Sequence, residues 1–438
     1  MNIRDAVMHY DIVIVGGGAG GLELASRLGR RLGGRHNTPH RGKRRVLLID
    51  RSSFHIWKPT LHEVAAGTLD VHQEGISYSI LGRSNGFNFL LGELAAFDPA
   101  AKRLTLKPIT DADGQLLAPE RTITFTFGVL AIGSGSNFFG TPGAERAHLL
   151  ERTEDAEAFH ARLLAAFTKA SFSPDKIMRV AIVGGGATGV ELSAELIEAH
   201  RELLDSVGDE QRFRLDITVV EAAPRILNGL PPKIADKATL ALERKGVAVR
   251  TGAKVLAVHA DRLETSQGDI PADLIVWAAG VKAAEANTGF GLETNRGNQF
   301  VVNDHLETSA PDVWALGDCA AAPWKDGKTI PARAQAAHQQ ASYLERALIA
   351  RLHQGRINAP FVYRDFGSLV SLGNDKGVGA LMGGLGGPNF FVEGLIAKWA
   401  YMSLHLDHHR AILGVGRTAT LALARLLQQR VSGRLKLH

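Results

Sequence analysis

Cysteine is almost missing from this chain: 438 residues contain one, Cys319. No intrachain disulfide can form, chemistry that needs a redox-active cysteine pair is excluded, and a reducing compartment fits. Long apolar runs are missing too. No stretch of 18 or more apolar residues lacks a charge, so no transmembrane helix is expected. No secretory signal is expected either, because the first apolar run already belongs to a glycine-rich motif. There is no low-complexity tract, and no Cys/His spacing suits a metal site, the His405, His408, His409 group included.

Positive and negative charges balance over most of the chain, and the excess lies at its end. The net charge is +5. From Pro388 to His438 there are seven basic residues (Lys398, Arg410, Arg417, Arg425, Arg430, Arg434, Lys436) against two acids, Glu393 and Asp407. That excess equals the whole net charge, so the body is neutral. A basic tail on a neutral body implies a docking surface and not a nucleic-acid-binding core.

What is present is a duplicated phosphate-binding fingerprint. Asp11 to Val15 runs into Gly16-Gly17-Gly18-Ala19-Gly20-Gly21, and Val180 to Val183 runs into Gly184-Gly185-Gly186-Ala187-Thr188-Gly189. Each reads as buried strand, tight turn and helix. Gly16 and Gly184 make the turn, Gly18 and Gly186 let backbone approach a pyrophosphate, and Gly21 and Gly189 let helix close on strand. Each copy leads to a second strand ending in an acid: Val46–Ile49 with Asp50, and Ile217–Val220 with Glu221. A basic, loop-like insertion from Arg30 to Arg45 lengthens the first connection. Later strands ending at Gly133 and Gly280 mirror each other, so the two halves are a diverged internal repeat. Two such sites predict two dinucleotides, one able to reduce the other.

Several side chains carry candidate chemistry, each beside a plainer reading. Asp50 and Glu221 suit ribose hydroxyls, and Glu221 repels a 2′-phosphate, which favours NADH over NADPH. Arg225 nearby softens that preference, and an ordinary solvated acid is the alternative. Asp318, after the buried strand Val313–Leu316, suits a polyol hydroxyl or a helix N-cap equally. Gln335 and Gln339 share one helix face and can meet quinone carbonyls, or can be solvated amides. His338 between them is a proton relay or a packed histidine. The His405, His408, His409 group is expected at an interface.

The order of these features resembles the two-dinucleotide-fold flavoproteins. That resemblance implies FAD on the first fingerprint, NADH on the second, and Asp318 on the flavin's ribityl chain. The lone cysteine departs from the family's disulfide reductases and sulfide:quinone reductases. Five segments are similar to type II NADH dehydrogenases, the single-subunit, non-proton-pumping NADH:quinone oxidoreductases. They are Trp57 to Ala65, Gly185 to Leu192, Ala334 to Gln339, Gly367 to Leu372 and Arg434 to His438. The resemblance implies roles for Lys58, Gly133 and Gly280 at the cofactors and for Gln335 and Gln339 at the quinone. It implies a role for Glu191 in hydride or proton coupling. Glu23 holds the same place in the first repeat, however, and an acid early in a helix is stabilised by the helix dipole without any catalysis. Some relatives carry a lysine where this chain has Asn374, with Lys376 close by.

The expected fold is α/β: two Rossmann-like dinucleotide-binding domains and a C-terminal amphipathic helical membrane-docking region. The expected divisions are 1–145 and 291–387 for the FAD domain, 146–290 for the NADH domain and 388–438 for docking. The expected function is respiratory NADH:quinone oxidoreduction at the cytoplasmic face of the inner membrane, with ubiquinone or menaquinone. A homodimer is possible, and no nucleic acid is expected as partner. The alternative is a soluble flavin reductase serving a protein partner. Within the tail, Val415–Val431 is predicted as a helix with Leu423, Leu426 and Leu427 on one face. Arg417, Arg425 and Arg430 flank that face to meet anionic headgroups, and Trp399 and Tyr401 suit the interface. Packing of those leucines on the body or on a second subunit is the competing expectation.

Overall fold

Runs of Val, Ile and Leu long enough for a strand alternate with segments of helical period, and that alternation builds layered α/β domains. The computed structural model describes residues 8–33, 45–373, 377–381, 390–393 and 395–431. Asn374, Lys376, the centre of the basic insertion and the Arg434–His438 terminus lie outside them, as do the side chains of Trp399, Tyr401, Arg425, Leu426 and Arg430.

The first stretch forms β1 (Met8–Val15), α1 (Ala19–Leu32), β2 (Val46–Asp50), α2 (Leu61–Ala66), β3 (Asn88–Leu91), β4 (Leu94–Asp98), β5 (Arg103–Leu106) and β6 (Arg121–Leu130). The second forms α3 (Thr153–Phe172), β7 (Ile177–Val183), α4 (Ala187–Ser206), β8 (Arg214–Glu221), β9 (Ala248–Thr251) and β10 (Leu274–Trp277). The third forms β11 (Val313–Ala315), α5 (Ala334–Leu352), β12 (Gly367–Ser371), β13 (Gly377–Leu381), β14 (Phe390–Glu393), α6 (Leu395–Leu413) and α7 (Val415–Val431).

Two sheets carry the fold. In the first the order is β3-β2-β1-β6-β5-β4, with β11 also on β6. The strands β1, β2, β3, β6 and β11 run parallel, whereas β4 and β5 are antiparallel additions. The second sheet is all parallel, in the order β9-β8-β7-β10. Parallel strands covered on both faces must be apolar throughout, and Ile12–Val15, Val46–Ile49 and Val180–Val183 are buried accordingly. The strands β12, β13 and β14 form a small antiparallel sheet.

Two connections position the site. Early in the chain, α2 leaves its own domain: Leu61, Val64 and Ala65 join the core of the second domain with Phe159, Val190 and Leu192. Late in the chain, Val370 and Leu372 enter that same core. The α2 helix and β12 thereby meet at the start of α4.

The tail departs from expectation. It is not one surface layer, because α6 belongs to the body. Ile412 is fully buried in the core that contains α1 and β1. Asn85 Nδ2 donates to the Ile412 carbonyl at 2.8 Å, and Arg30 donates to the Ala411 carbonyl at 2.7 Å, so two orphan carbonyls at the helix end are satisfied. His405, His408 and His409 are buried, which corrects their expected place at an interface. Gly414, at φ +81°, then breaks the chain away. Beyond it α7 spans the predicted Val415–Val431 and leaves Val415, Arg417, Leu423 and Leu427 exposed. Among the described residues, no helix is long and apolar enough to cross a membrane.

Candidate active site between two dinucleotide cradles

The repeat seen in sequence is repeated hydrogen bond for hydrogen bond. Gly16 N donates to the Ile49 carbonyl and Gly184 N to the Val220 carbonyl, both at 2.8 Å. Gly17 N donates to Asp50 Oδ2 at 2.6 Å and Gly185 N to Glu221 Oε2 at 2.7 Å. The other oxygens accept from Ser52 N at 2.8 Å and Ala223 N at 2.7 Å. Asp50 and Glu221 thus brace the glycine turns, a job that sequence reasoning missed. Each carboxylate oxygen keeps a further lone pair for a ribose hydroxyl. Burial raises Asp50 above its ordinary range, and the Ser52 and Gly17 amides oppose that.

The glycines fit a pyrophosphate. Gly16 sits at φ +104° and Gly184 at +110°, the left-handed side that favours glycine. A Cβ on Gly21 would lie 1.9 Å from the Gly16 carbonyl oxygen, and one on Gly189 would lie 2.1 Å from that of Gly184, so only glycine lets helix close on strand. A Cβ on Gly18 or Gly186 would meet nothing within 4 Å, so the backbone there is free to approach a ligand. Both helices start without a side-chain cap and without an acid in the first turn, leaving amides for phosphate oxygens.

The flavin side is assembled from three segments. Lys58 Nζ donates to the Ser134 carbonyl at 3.2 Å, and Ser134 Oγ donates to Asp318 Oδ2 at 3.1 Å. Gln299 donates to the Asp318 carbonyl at 3.0 Å, and Gly317 N donates to Oε1 of buried Gln340 at 2.7 Å. Asp318 lies inside a short 3₁₀ turn, Gly317–Cys319, and is not its N-cap, so its carboxylate faces Ser134. Gly133 at φ +72° borders this space, while Gly280 at +68° carries the Phe139 ring against its Cα. Cys319 is buried, its thiol donating to the Leu316 carbonyl at 3.2 Å and pushed up to about 12 by burial. It is a packing residue, inert toward disulfide chemistry.

Glu191 stands just past the first turn of α4 and is buried. Its Oε1 accepts from Ser371 N at 3.0 Å, and His62 Nδ1 lies 3.7 Å from Oε2. Burial pushes the carboxyl up to about 8, Glu63 and Glu195 add to the rise, and the Ser371 amide opposes it. Glu191 therefore keeps its proton at neutral pH. His62 and Ser371 had no signal in spacing, because only folding brings α2 and β12 to α4.

Gln335 and Gln339 do share one face of α5, but both amides are engaged by backbone. Gln335 Nε2 donates to the Gly367 carbonyl at 2.8 Å, and its Oε1 accepts from Phe366 N at 3.1 Å. Gln339 pairs with both groups of Arg364, at 2.8 and 3.0 Å. The two side chains tape residues 364–367 onto α5, helped by Arg333 on Asp365 at 3.2 Å. His338 Nδ1 lies 2.7 Å from Glu23 Oε2, which raises the imidazole above its usual range. Glu23 also pairs with Arg27 at 2.5 Å. This network seals α1 to α5.

A second histidine cluster ties the first glycine turn to the tail. His55 Nδ1 meets the Gly17 carbonyl at 3.1 Å and its Nε2 meets His408 Nε2 at 2.9 Å. Trp57 stacks edge-on against His405 at 4.8 Å. Burial lowers His55 to about 4 and His405 to about 3, so the contacts are between neutral rings.

Two nucleotide cradles, with the Asp318 carboxylate beside the first and a buried acid near the start of the second, define an NADH-dependent flavin oxidoreductase. The pyridine nucleotide-disulphide oxidoreductase family matches residues 10–341. A type II NADH:quinone oxidoreductase of Haemophilus influenzae is 38% identical, over 98% of this chain and 100% of its own. Ndh of Mycobacterium tuberculosis, also a type II NADH:quinone oxidoreductase, is 27% identical over 91% of this chain and 84% of its own. NDH2 from Plasmodium falciparum, solved in complex with NADH, shares the fold at TM-score 0.81 and 18% identity, covering 98% of this chain and 99% of that one. A ferredoxin reductase from Rhodopseudomonas palustris reaches TM-score 0.63 at 22% identity over 85% and 82%. The chain belongs to the pyridine nucleotide-disulphide oxidoreductase family and, within it, to the type II NADH:quinone oxidoreductases. The disulphide branch of the family's chemistry is closed to it, because Cys319 stands alone.

Proposed function

We propose that the chain oxidises NADH and reduces a membrane quinone through FAD. One observation carries this reading: 38% identity, end to end, to a type II NADH:quinone oxidoreductase. When bound, FAD supplies the redox chemistry, taking a hydride from NADH and passing two electrons to quinone. The chain's own groups orient, shield and protonate.

The amides at Gly16–Gly21 and Gly184–Gly189 hold the two pyrophosphates, and Asp50 and Glu221 accept from the riboses. Glu221 disfavours a 2′-phosphate by charge. Lys58 and Asp318 hold the flavin side, and Glu191 carries a proton beside the nicotinamide side. Gln335 and Gln339 serve the quinone step. The Gln339 amide keeps one N–H beyond its backbone partner for a quinone carbonyl, whereas the second N–H of Gln335 reaches Asp365 Oδ1 at 3.4 Å, so Gln335 serves by shaping the 364–367 wall. The exposed face of α7, with Leu423 and Leu427 beside Arg417, rests on an anionic membrane surface at the cytoplasmic side.

NADH oxidation with a short-chain ubiquinone, set against ferricyanide, tests the function; flotation on anionic vesicles tests the surface. Quinone turnover with bound yellow FAD is the expected result. NADH oxidation that proceeds with ferricyanide or a ferredoxin-type protein but with no quinone would overturn the reading. Loss of flotation on truncation after Gly414 is expected. A truncation that changes only oligomeric state would make α7 a contact between two copies instead.

A further inference from the structure

Glu191 lies where the two cradles meet. It stands two residues beyond Gly189 of the second, and α2 lays His62 against it with Nδ1 3.7 Å from Oε2. The opposite ring nitrogen, Nε2, lies 3.9 Å from Glu63 Oε1, and the Glu63 side chain is 30% exposed. One turn before His62, Lys58 donates to the Ser134 carbonyl of the first cradle. A carboxyl, an imidazole and a carboxyl therefore line up between solvent and the seam of the two nucleotide sites. We propose that Glu63, His62 and Glu191 form the proton route from solvent to the redox centre.

The route rests on the NADH:quinone reading, whose balance requires it. NADH, one proton and quinone give NAD⁺ and quinol. The hydride brings two electrons and one proton, so one more proton enters from solvent per turnover. For that entry, the O–H bond of a protonated Glu63 breaks as a proton passes to His62 Nε2. The Nδ1–H bond breaks as a proton passes to the Glu191 carboxylate, which has given its own proton toward the reduced acceptor. Return of the ring to its first tautomer resets the path.

The surroundings suit each member. Among the described residues, the charged groups that act on Glu191 are the acids Glu63 and Glu195. The α2 helix brings Glu63 and His62, α4 brings Glu195, which accepts from Thr68 Oγ1 at 2.6 Å, and β12 brings the Ser371 amide. The Lys245–Glu198 pair lies beyond, against Gly373. Glu191, pushed up to about 8, stores a proton at neutral pH. Burial lowers His62 to about 4, partly offset by a hydrogen bond to the Pro59 backbone. Its resting state is the neutral ring, with one N–H and one lone pair. Neither 3.7 nor 3.9 Å is a hydrogen bond, but a side-chain shift of about 1 Å closes either span.

The test uses the holoenzyme and two readouts. The first is hydrogen–deuterium exchange of the Glu191 carboxylic acid, followed by its infrared C=O band after mixing into D₂O and assigned with Glu191→Gln. The second is quinone turnover divided by ferricyanide turnover, since ferricyanide takes electrons without protons. His62→Phe is expected to slow the exchange and lower the ratio by about tenfold or more, with His62→Gln showing the same direction and Glu63→Gln a smaller effect. Added imidazole is expected to restore part of both in His62→Ala. Wild-type exchange and a wild-type ratio in His62→Phe overturn the route, or in His62→Gln if the Phe variant does not retain FAD. The exchange readout needs no quinone, so failure of the route is distinguishable from failure of the quinone reading.

Discussion

Glu23 and Glu191 occupy the same place in the two halves: two residues past the last fingerprint glycine, just beyond the first turn of the helix. Both are buried, yet their neighbours differ completely. Around Glu23 the fold gathers cations, with Arg27 at 2.5 Å and His338 at 2.7 Å. Around Glu191 it gathers an amide, a neutral imidazole and two further acids. One repeat position thus gives an ion pair that joins helices and a buried acid, raised to about 8, held against His62 and the Ser371 amide. Duplication supplies the carboxyl, and the elements packed against it decide whether it holds structure or a proton.

That contrast can be broken by substitution. Glu191→Gln keeps an acceptor for Ser371 N and removes the proton. Quinone turnover is expected to fall about 100-fold, with stability changed by less than about 1 kcal/mol, as measured by steady-state kinetics and urea unfolding. Glu23→Gln is expected to do the reverse. It leaves Arg27 and His338 only their longer contacts to Glu345 and Asp407 at a helix seam and costs about 2–3 kcal/mol in unfolding free energy, while turnover per folded, FAD-loaded molecule stays close to wild type. If the two variants exchange these effects, the roles are assigned the wrong way round.

Acid and base sharpen the comparison through opposite slopes. His55, lowered to about 4, is neutral in the fold and titrates near 6.5 when unfolded. Its contribution is present above pH 6.5 and is lost as pH falls toward 4, by roughly 3 kcal/mol if the lowering is complete. Glu191, raised to about 8, contributes fully below about 4.5 and loses its contribution as pH rises through 8. The two windows overlap between about pH 4.5 and 6.5, where the opposite slopes offset each other, so thermal unfolding is expected to be flat there and to fall on either side. His55→Asn should flatten the acid limb, and Glu191→Gln the alkaline one.

Smaller effects are expected from residues braced by backbone. Gln335→Ala and Gln339→Ala each free a segment of the 364–367 wall and should cost about 1–2 kcal/mol. In stopped flow, reoxidation by quinone should slow more than flavin reduction by NADH. Equal slowing of both would make the glutamines general fold elements. Smallest is Glu221→Gln, which is expected to relax discrimination against NADPH on the order of tenfold. A wild type that already prefers NADPH would contradict the ribose assignment.

How far the sequence reached follows the range of each interaction. The strand–glycine–helix units, the acids Asp50 and Glu221 and the limits of α7 were legible, because period, turn chemistry and breakers are local signals. The side chains that tune the site were not. His62 meets Glu191 only because α2 crosses into the second domain's core, and Ser371 reaches it from a strand far downstream. Gln335 and Gln339 were correctly placed on one face, but their backbone partners at 364–367 return through a loop that no spacing rule anticipates. The tail misled for a related reason. Basic amphipathic composition does not distinguish α6, whose His405, His408 and Ile412 are buried, from α7, whose Leu423 and Leu427 are exposed.

The most direct test of the contrast between the two glutamates is a pH-titrated infrared spectrum of the oxidised holoenzyme, comparing wild type, Glu191→Gln and Glu23→Gln. A protonated carboxylic C=O band should be present at pH 7, fade with a midpoint near 8, vanish in Glu191→Gln and persist in Glu23→Gln. Absence of that band at pH 7, or its loss in Glu23→Gln with Glu191→Gln unaffected, would contradict the claim that neighbours turned one of two equivalent carboxyls into a proton store.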